Sequence, residues 1–401
     1  MTVIAPRGDR SLKVLPGSQR TRLRPYPVFL YGSGVASFAA EFVWSFLWIT
    51  VRLLAEIVRG GAHAVQVCNP PDIYWPLALL CRALGRPWVF DHHDLSPEVY
   101  VARVGTPNRW VTRILTAFEW LTLRTATEVI ATNESFKDND VRRGVNPDRV
   151  TVVRNGPAQA EIARRTPASV VDATPVIHTV VYLGVFGPQD NVEGAVLAAD
   201  ALTRLRGRGD WRFVLAGDGE TAPVLRKLVA DRGLHDVVEF TGWLDGPEVD
   251  ELLHNATVGL QPDLPTRMNH LSTMAKTLEY LGRGVPVVAV DLIETRRSVG
   301  EAGMYVPNGD PAEFAGAIDT LLTDPARREQ MRTIGLARFR DALSWEHQAD
   351  AYVGVWRRLL AKRLRHTEGA RIPAPRAPAD NLATTPRHAH AGPEAYRADA
   401  P

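Results

Sequence analysis

The sequence of 401 residues is poor in cysteine and almost without net charge. Two cysteines, Cys68 and Cys81, are too few for a disulfide framework and lack metal-ligand spacing, so they indicate a reducing, intracellular setting. A formal charge of +2 argues against a nucleic-acid partner. No charged segment followed by an apolar one opens the chain, so we predict no signal peptide and a cytoplasmic protein.

The sequence also lacks an apolar run long enough to span a membrane. In residues 28–58, the most apolar segment, Glu41 and Arg52 leave about ten uninterrupted apolar residues, whereas a span needs about 20. We therefore predict a buried or amphipathic helix here. Peripheral contact of this helix with the inner face of a membrane stays open as an alternative.

What the sequence does contain is a regular alternation of predicted strands and helices. This alternation indicates doubly wound parallel α/β sheets, one in residues 1–160 and a second in residues 176–343. Residues 161–175 are rich in Ala, Pro and Thr and are predicted to be a linker. A final helix is predicted over residues 344–365. Residues 366–401 hold few large apolar side chains and are predicted to be disordered.

The most informative stretch runs from residue 258 to residue 300. It is predicted to form a strand, a polar loop, a helix and a second strand of a parallel sheet. Ser272 stands where the N-cap of the helix belongs, and Gly282 and Gly284 mark the end of the helix.

Three polar residues of this helix, Ser272, Lys276 and Glu279, are spaced to share one face. Helix N-termini attract phosphate, so a hydroxyl and an ammonium at this end suit a diphosphate. The carboxylate that follows suits the hydroxyls of a ribose. The alternative is an ordinary N-cap and a solvated ion pair between Lys276 and Glu279.

The sequence Ser-Thr-Met-Ala-Lys-Thr-Leu-Glu-Tyr at 272–280, followed by Gly-Val-Pro-Val-Val at 284–288, resembles a known family. It is similar to the nucleotide-sugar-binding region of the family-4 (group 1) glycosyltransferases. Within that family, it resembles the form of the motif found in a bacterial surface-polysaccharide subgroup. The family motif has two Glu residues eight positions apart. Glu279 matches the second, which contacts ribose, whereas the first falls at Leu271.

The resemblance implies the GT-B fold, in which two Rossmann-like domains face a cleft and the last helix crosses back to the first domain. It also implies catalytic roles for Lys276 and for a His-Asp pair that faces the donor sugar, here His93 and Asp94 within Phe-Asp-His-His-Asp-Leu-Ser-Pro-Glu. The alternative is a structural loop in which Asp94 caps the next helix. We predict no metal site, because no third ligand stands nearby in sequence.

The predicted donor-binding residues add further positions to Ser272 and Glu279. Together they comprise Gly184, Gly187, Gly242, Trp243, Ser272, Thr273 and Glu279. For Gly184 and Gly187, whose backbone amides could approach a phosphate, a tight turn is the alternative. A contact between Trp243 and the nucleobase competes with a packed Trp. The loop after Gly184 has Val185 and Asp190 where relatives carry cations, so Lys276 is expected to neutralise the diphosphate. Two further candidates for this role are Arg154 and Arg296.

Two motifs are interpreted as structural. Gly217-Asp218-Gly219 is predicted to be a turn, because it comes too late in its domain for a dinucleotide fingerprint. Asp138-Asn139-Asp140 imitates a metal motif but lies on a predicted helix, so we interpret it as a solvated face.

The resemblance implies a retaining, metal-independent hexosyltransferase that uses a nucleotide sugar as substrate and needs no cofactor. The acceptor would be a lipid-linked glycan of surface-polysaccharide synthesis. Positive charge would stabilise the departing diphosphate, and a carbonyl group or a His in the cleft would assist the cationic sugar. A non-catalytic GT-B-fold binding protein and a nucleotide-sugar epimerase are the alternatives.

The opening Met-Thr-Val-Ile-Ala-Pro-Arg-Gly resembles the second strand and basic turn of the family's first domain. We therefore predict that the first strand of that domain is missing and that the true start lies upstream. Equal solubility and activity of the 401-residue form and an upstream-extended form would contradict this prediction.

Overall fold

The computed structural model describes residues 1–7, 21–27, 35–104, 106–159, 162 and 177–368. Most of the predicted linker and most of the predicted disordered tail lie outside the described residues, as do residues 28–34 of the predicted first helix. Residues 1–357 form one compact unit, and the contacts analysed below all lie within it.

The strands of the first half form two parallel sheets. Within the described residues they are β1 (Thr2–Pro6), β2 (Arg22–Tyr26), β3 (Val65–Cys68), β4 (Trp88–His92), β5 (Glu128–Ala131) and β6 (Val150–Val152). β1 pairs with β2, and β3, β4, β5 and β6 follow one another in a four-stranded sheet. In the four-stranded sheet each strand ends at or near the start of a polar segment, as the alternation of strands and helices predicts.

Helices connect the strands of the first half. They are α1 (Val35–Val58), α2 (Trp75–Ala83), α3 (Ser96–Arg103), α4 (Arg109–Thr125) and α5 (Glu134–Arg142). Asn108 and Asn133 set the starts of α4 and α5, because each side chain accepts a backbone N–H of the first turn. Helix α3 is not predicted from the sequence.

Helix α1 is apolar on more than one side. Phe46 and Leu53 pack into the core of the first half, as predicted for a partly buried helix. A second row of apolar side chains is exposed: Val43, Leu47, Val51 and Val58. Neither α1 nor any other helix in the described part of the chain is long and apolar enough to cross a membrane.

The second half contains one six-stranded parallel sheet. Its strands are β7 (His178–Leu183), β8 (Trp211–Ala216), β9 (Val238–Gly242), β10 (Ala256–Gln261), β11 (Val287–Val290) and β12 (Gly303–Val306), in the order β12-β11-β10-β7-β8-β9. Along the chain, β8 and β9 are added on one side of β7, and β10, β11 and β12 are then added on its other side. The predicted α/β class with parallel sheets is confirmed.

Both faces of this sheet are covered by apolar side chains. Val288 and Val290 point into one core cluster, whereas Val287 and Ala289 point into another. The alternation follows from the two-residue period of a strand. A continuous apolar run is therefore what a strand buried on both faces requires.

The helices of the second half differ from the predictions in one important place. They are α6 (Val192–Arg206), α7 (Ala222–Asp231), α8 (Gly246–His254), α9 (Arg267–Leu271), α10 (Ala275–Gly282), α11 (Ile293–Val299), α12 (Pro311–Thr323), α13 (Pro325–Arg338) and α14 (Trp345–Glu368). Ser272 does not cap α10, whose N-cap is Met274. Ser272 instead ends α9, and its hydroxyl donates to the carbonyl oxygen of Met268 at 2.8 Å.

Candidate active site

The candidate site lies at the carboxyl ends of β7 and β10, where the strand order of the second sheet reverses. β7 ends at Leu183 and leads into the loop with Gly184 and Gly187, and β10 ends at Gln261, two residues before Asp263. In open α/β sheets the crevice at such a switch point is where ligands bind. The two loops therefore define the position of the site.

Tyr280 fixes helix α10, with Lys276 and Glu279, against this switch point. Its ring is fully buried. The hydroxyl accepts the backbone N–H of Leu183 at 2.9 Å and donates to the carbonyl oxygen of Leu260 at 3.2 Å. One side chain thus ties the helix to the ends of both central strands.

Lys276 is buried and paired with a carboxylate that the sequence analysis missed. Its Nζ lies 3.0 and 3.2 Å from the carboxylate oxygens of Asp263 and 4.0 Å from the carboxylate of Asp190. It also lies 5.1 Å from the ring centre of Tyr182. A Cβ atom added to Gly184 would be 3.4 Å from Cε of Lys276, so the glycine loop runs against this side chain.

Two carboxylates therefore face one ammonium. Burial raises the pKa of Asp190; Lys276 opposes this rise and Asp263 reinforces it. Asp190 also accepts the backbone N–H of Gly187 at 3.1 Å. Without a ligand the charge of Lys276 is already compensated, so a bound phosphate has to compete with Asp263 for Nζ.

Glu279 lies on the wall of a cavity of about 250 Å³, one turn along α10 from Lys276. The cavity is also lined by Leu183, Leu244, Gly246 and Val249. Apolar side chains with a few polar groups are typical of a small-molecule site. The ion-pair partner of Glu279 is Arg283, which also donates from Nε to Asp250 at 2.9 Å. The solvated Lys276–Glu279 pair considered from the sequence is therefore wrong.

The predicted turn at Gly217-Asp218-Gly219 packs against the glycine loop. The backbone N–H of Phe186 donates to the carbonyl oxygen of Asp218 at 3.0 Å. A Cβ atom at Gly217 would lie 1.8 Å from the carbonyl oxygen of Gly184, which only glycine tolerates. The turn therefore holds the loop after β7 in place.

Gly242 is the last residue of β9, and Trp243 comes directly after it. The carbonyl oxygen of Gly242 accepts the N–H of Gly217 at 2.9 Å. Trp243 is 66% exposed, so the alternative of a packed Trp is wrong. Its ring is available to a ligand, and its contact with a nucleobase stays a prediction.

Thr273 and Arg154 lie where the two halves of the chain meet. The hydroxyl oxygen of Thr273 accepts from Nδ2 of Asn133 at 3.1 Å and from Nη1 of Arg154 at 3.4 Å. The backbone N–H of Arg154 donates to Gln348 at the start of α14 at 3.0 Å. Both predicted donor-binding residues thus take part in contacts between the halves.

Glu294, which the sequence analysis missed, is the centre of this interface. It is fully buried and accepts from Oγ of Ser135 at 2.8 Å, from Arg154 at 3.3 Å and from Arg297 at 3.1 Å. The guanidinium of Arg154 is therefore compensated by Glu294.

Arg296, the other predicted diphosphate cation, is an exposed side chain. It donates to Asp291 at 2.7 Å and lies 4.3 Å from the ring centre of Tyr305. The position of Arg296 is therefore set by Asp291 and Tyr305, and not by the charged residues around Lys276.

In the first half, Asn69 holds the loop after β4. Its Oδ1 atom accepts the backbone N–H groups of His93 at 2.7 Å and Asp94 at 3.1 Å. The N-cap of α3 is Leu95, without a side-chain cap, so the alternative in which Asp94 caps this helix is wrong. The side chain of Asp94 is exposed.

His93 pairs with a carboxylate two residues earlier. Its Nε2 atom lies 3.1 Å from Oδ1 of Asp91, and its Nδ1 atom lies 3.3 Å from Nδ2 of Asn155. Hydrogen bonds to Asp91 and Cys68 raise the pKa of His93 to about 10, although partial burial opposes the charge. His93 is therefore protonated at neutral pH.

His92 points to the other side and belongs to a buried polar network. Burial opposes its charge, but Asp140, at 2.9 Å from Nδ1, outweighs burial and raises the pKa of His92 to about 9. The interpretation of Asp138-Asn139-Asp140 as a solvated face is wrong, because Asn139 and Asp140 are buried and only Asp138 is exposed.

Most of the partners that the sequence analysis missed are polar residues at or near strand ends. Asp263 follows β10, Asp91 is the next-to-last residue of β4, and Cys68 ends β3. A charged residue two positions after a buried strand was the available signal for Asp263. The partners lie on other strands, so spacing within one segment could not reveal them.

Two family models match the chain, and together they span both halves. The model described as "Glycosyl transferase 4-like domain" matches residues 1–156, and the one described as "Glycosyl transferases group 1" matches residues 177–324. The alpha-D-kanosaminyltransferase of Streptomyces kanamyceticus is 29% identical over 334 residues, which covers 79% of this chain and 82% of the relative.

Solved structures share the fold. Sucrose-phosphate synthase from Thermosynechococcus elongatus matches with a TM-score of 0.68 and 18% identity, over 90% of this chain and 89% of that one. Anabaena HepE in complex with UDP-glucose matches with a TM-score of 0.55 and 18% identity, over 84% of this chain and 86% of that one.

The protein belongs to the group 1 glycosyltransferases and has the GT-B fold. It is an enzyme that transfers a sugar from a nucleotide-sugar donor. Its place in the surface-polysaccharide subgroup stays a prediction.

Proposed function

We propose that the protein is a retaining, metal-independent hexosyltransferase whose acceptor is a lipid-linked glycan of surface-polysaccharide synthesis. The nucleoside of the donor would occupy the cavity beside Glu279, and its diphosphate would lie between Lys276 and the glycine loop. UDP is the nucleotide to test first, since Anabaena HepE was solved with UDP-glucose.

The observation that carries this proposal is the placement of Glu279 and Lys276 on one short helix. They are three residues apart, which is about 4.5 Å along a helix axis. Glu279 faces the cavity and Lys276 contacts the loop of Gly184. A ribose bound to the carboxylate would therefore direct its phosphates toward the ammonium.

The chemistry proposed is stabilisation of the leaving diphosphate. Negative charge grows on that group as the bond to the sugar breaks, so a cation released from Asp263 stabilises the transition state more than the ground state. Arg154 is the second candidate, because it lies 3.4 Å from Thr273, close to the start of α10. Fixed cations in these positions support transfer without a catalytic metal.

The role of His93 differs from the one first expected. A protonated imidazole repels a cationic sugar, so His93 would contribute a hydrogen bond to the donor or acceptor rather than stabilise positive charge. The exposed carboxylate of Asp94 is the better group to face a cationic sugar. Retention of configuration is proposed from the family resemblance.

A lipid-linked acceptor is supported by the exposed apolar row on α1. An amphipathic helix whose apolar side chains remain in solvent can lie in the interface of a bilayer. Val43, Leu47 and Val51 repeat every four residues, which places them on one side of the helix. Such a contact would bring the first half of the chain to a membrane-bound acceptor.

The test is an assay of UDP release from UDP-hexoses with a lipid-linked glycan acceptor, run with and without a chelator. The expected result is acceptor-dependent release of UDP that the chelator does not reduce, with retained anomeric configuration in the NMR spectrum of the product. Interconversion of the sugar without an acceptor would identify the epimerase instead. Calorimetric binding without turnover would identify the non-catalytic binding protein.

A further inference from the structure

Four polar side chains meet at the carboxyl ends of β3 and β4 in the four-stranded sheet, three of them on the strands and His93 just after β4. Cys68 of β3 is the direct partner of Asp91 of β4 in the parallel register. Residues two apart on a strand point to the same face, so Gln66 joins Cys68. His93 is the first residue after β4, and its Nε2 atom reaches Oδ1 of Asp91 at 3.1 Å. The strand register therefore brings the thiol and the carboxylate together, and the loop after β4 adds the imidazole.

The distances are close to those of a zinc site, with the two measured contacts of Asp91 made by different oxygens of its carboxylate. Sγ of Cys68 lies 3.7 Å from Oδ2 of Asp91, and Nε2 of His93 lies 3.1 Å from Oδ1 of the same carboxylate. All three ligand atoms lie within 4.8 Å of one another. Zn–S bonds of about 2.3 Å and Zn–N or Zn–O bonds of about 2.0–2.1 Å place tetrahedral ligand atoms about 3.3–3.6 Å apart.

We propose that Cys68, Asp91 and His93 form a zinc site. A thiolate and an imidazole favour zinc over magnesium or calcium, and a carboxylate completes a three-ligand set. Cys68 is exposed, so a metal ion can reach the site from solvent and the fourth position stays open. Binding would release two protons to solvent, the thiol proton of Cys68 and the Nε2 proton of the His93 imidazolium.

Further hydrogen bonds orient the three ligands. Nε2 of Gln66 donates to Oδ2 of Asp91 at 2.6 Å, and the hydroxyl of Tyr352 donates to Oε1 of Gln66 at 2.6 Å. Nδ2 of Asn155 lies 3.3 Å from Nδ1 of His93. With zinc on Nε2, Nδ1 keeps its proton, so the Asn155 amide would have to turn and accept it with Oδ1. Such outer partners hold metal ligands in position and raise affinity.

Zinc at this site would inhibit transfer, a consequence that rests on the function proposed above. The ion takes Nε2 of His93 and places a divalent charge beside Asp94, the two residues assigned to the donor sugar. The site is therefore regulatory rather than catalytic. It leaves the proposed metal-independent reaction intact when zinc is absent.

The binding test uses the untagged, full-length chain and needs neither donor nor acceptor. Cobalt(II) is added as a spectroscopic probe, and zinc is titrated against a chromogenic chelator. We expect a thiolate-to-cobalt absorption band and one more bound zinc in the wild type than in Cys68→Ser. Histidines of the C-terminal region are present in both proteins, so their zinc binding cancels in the comparison.

Two further variants sharpen this test. Cys81 is buried elsewhere in the core, so Cys81→Ala should keep the absorption band. Gln66→Leu removes an outer hydrogen bond and should weaken zinc binding about 10- to 100-fold. Absence of the band in the wild type, or equal zinc binding by wild type and Cys68→Ser, would overturn the proposal.

Assays of sugar transfer with and without zinc test the regulatory role of the site separately from the proposed transfer function. Cys68→Ser should transfer sugar at the wild-type rate without zinc, and micromolar zinc should inhibit only the wild type. Equal inhibition of both proteins would refute the regulatory role. A chain without transferase activity that still shows the thiolate band would refute the proposed function and leave the zinc site established.

Discussion

Nζ of Lys276 lies 3.0 Å from Oδ2 of Asp263, and both side chains are buried at the carboxyl end of the central strands. In the absence of a ligand, the carboxylate of Asp263 therefore compensates the positive charge of Lys276. A diphosphate can bind Nζ only by competing with this carboxylate. Variants of this charged cluster should therefore change the affinity for a diphosphate, which titration can measure.

Replacement of Lys276 by Ala should weaken binding of UDP about 10- to 100-fold and weaken binding of UMP much less. The lost interaction is a charge-assisted hydrogen bond, worth about 1.5–3 kcal/mol. Isothermal titration of both nucleotides checks this, with Lys227→Ala on the exposed face of α7 as the matched control. If UDP and UMP lose affinity equally little, the phosphate site is elsewhere.

Replacement of Asp190 by Asn should tighten binding of UDP severalfold. Asp190 lies 4.0 Å from Nζ of Lys276, and removal of its charge reduces repulsion of the diphosphate. Asn can still accept the N–H of Gly187, so the loop should keep its form. The same titration measures the effect, and weaker binding of UDP by this variant would contradict the prediction.

Replacement of Glu279 by Ala should weaken binding of UDP about 10- to 100-fold without unfolding the chain, because the ribose loses a carboxylate acceptor. Arg283 keeps Asp250 as an ion-pair partner, so the variant does not leave a buried charge alone. Titration with UDP checks affinity and circular dichroism checks folding. The control is Glu251→Ala, an exposed residue of α8. Unchanged affinity in a folded variant would rule out the ribose assignment.

The buried His92–Asp140 pair should make folding stability fall as pH rises. The pKa of His92 is raised to about 9, above its ordinary value of 6.5. Its contribution is therefore fully present below pH 6.5 and is lost as pH rises through about 9, a change of about 3 kcal/mol. Urea unfolding between these pH values should show a steeper loss for the wild type than for His92→Gln. Parallel pH profiles would contradict the prediction.

Replacement of Glu294 by Gln should destabilise the contact between the two halves. The carboxylate is fully buried and pairs with Arg154 and Arg297. Arg297 keeps Asp138 as a partner, but the buried Arg154 loses its carboxylate, at a cost of about 3–5 kcal/mol. Thermal and urea unfolding measure the change. Glu301→Gln, at an exposed position, is the control and should change stability by less than about 0.5 kcal/mol. An equally small change at Glu294 would show that the pair does not hold the halves together.

Much of the fold could be predicted from the sequence because local patterns decide it. Apolar runs such as Val285–Val290 predict buried strands, and the alternation of such runs with amphipathic segments predicts parallel α/β sheets. The sequence also indicates Glu279 and Lys276 as candidates for donor binding, because helical spacing places them on neighbouring turns of one helix. The start of that helix was misplaced, since Ser272 has the residue type of an N-cap but donates its hydroxyl proton backward to Met268.

The sequence by itself thus determined most of the elements, their parallel arrangement and the two residues of one helix that are proposed to bind the donor. Only the tertiary structure decided which charges meet. Cys68 and Asp91 are 23 residues apart, and Ser135 and Glu294 are 159 residues apart. The physical reason is that parallel strands bring their carboxyl ends to one edge of a sheet, so partners come from separate segments. Burial then decides which of these charges keep their partners, as it does for Lys276 with Asp263 and for His92 with Asp140.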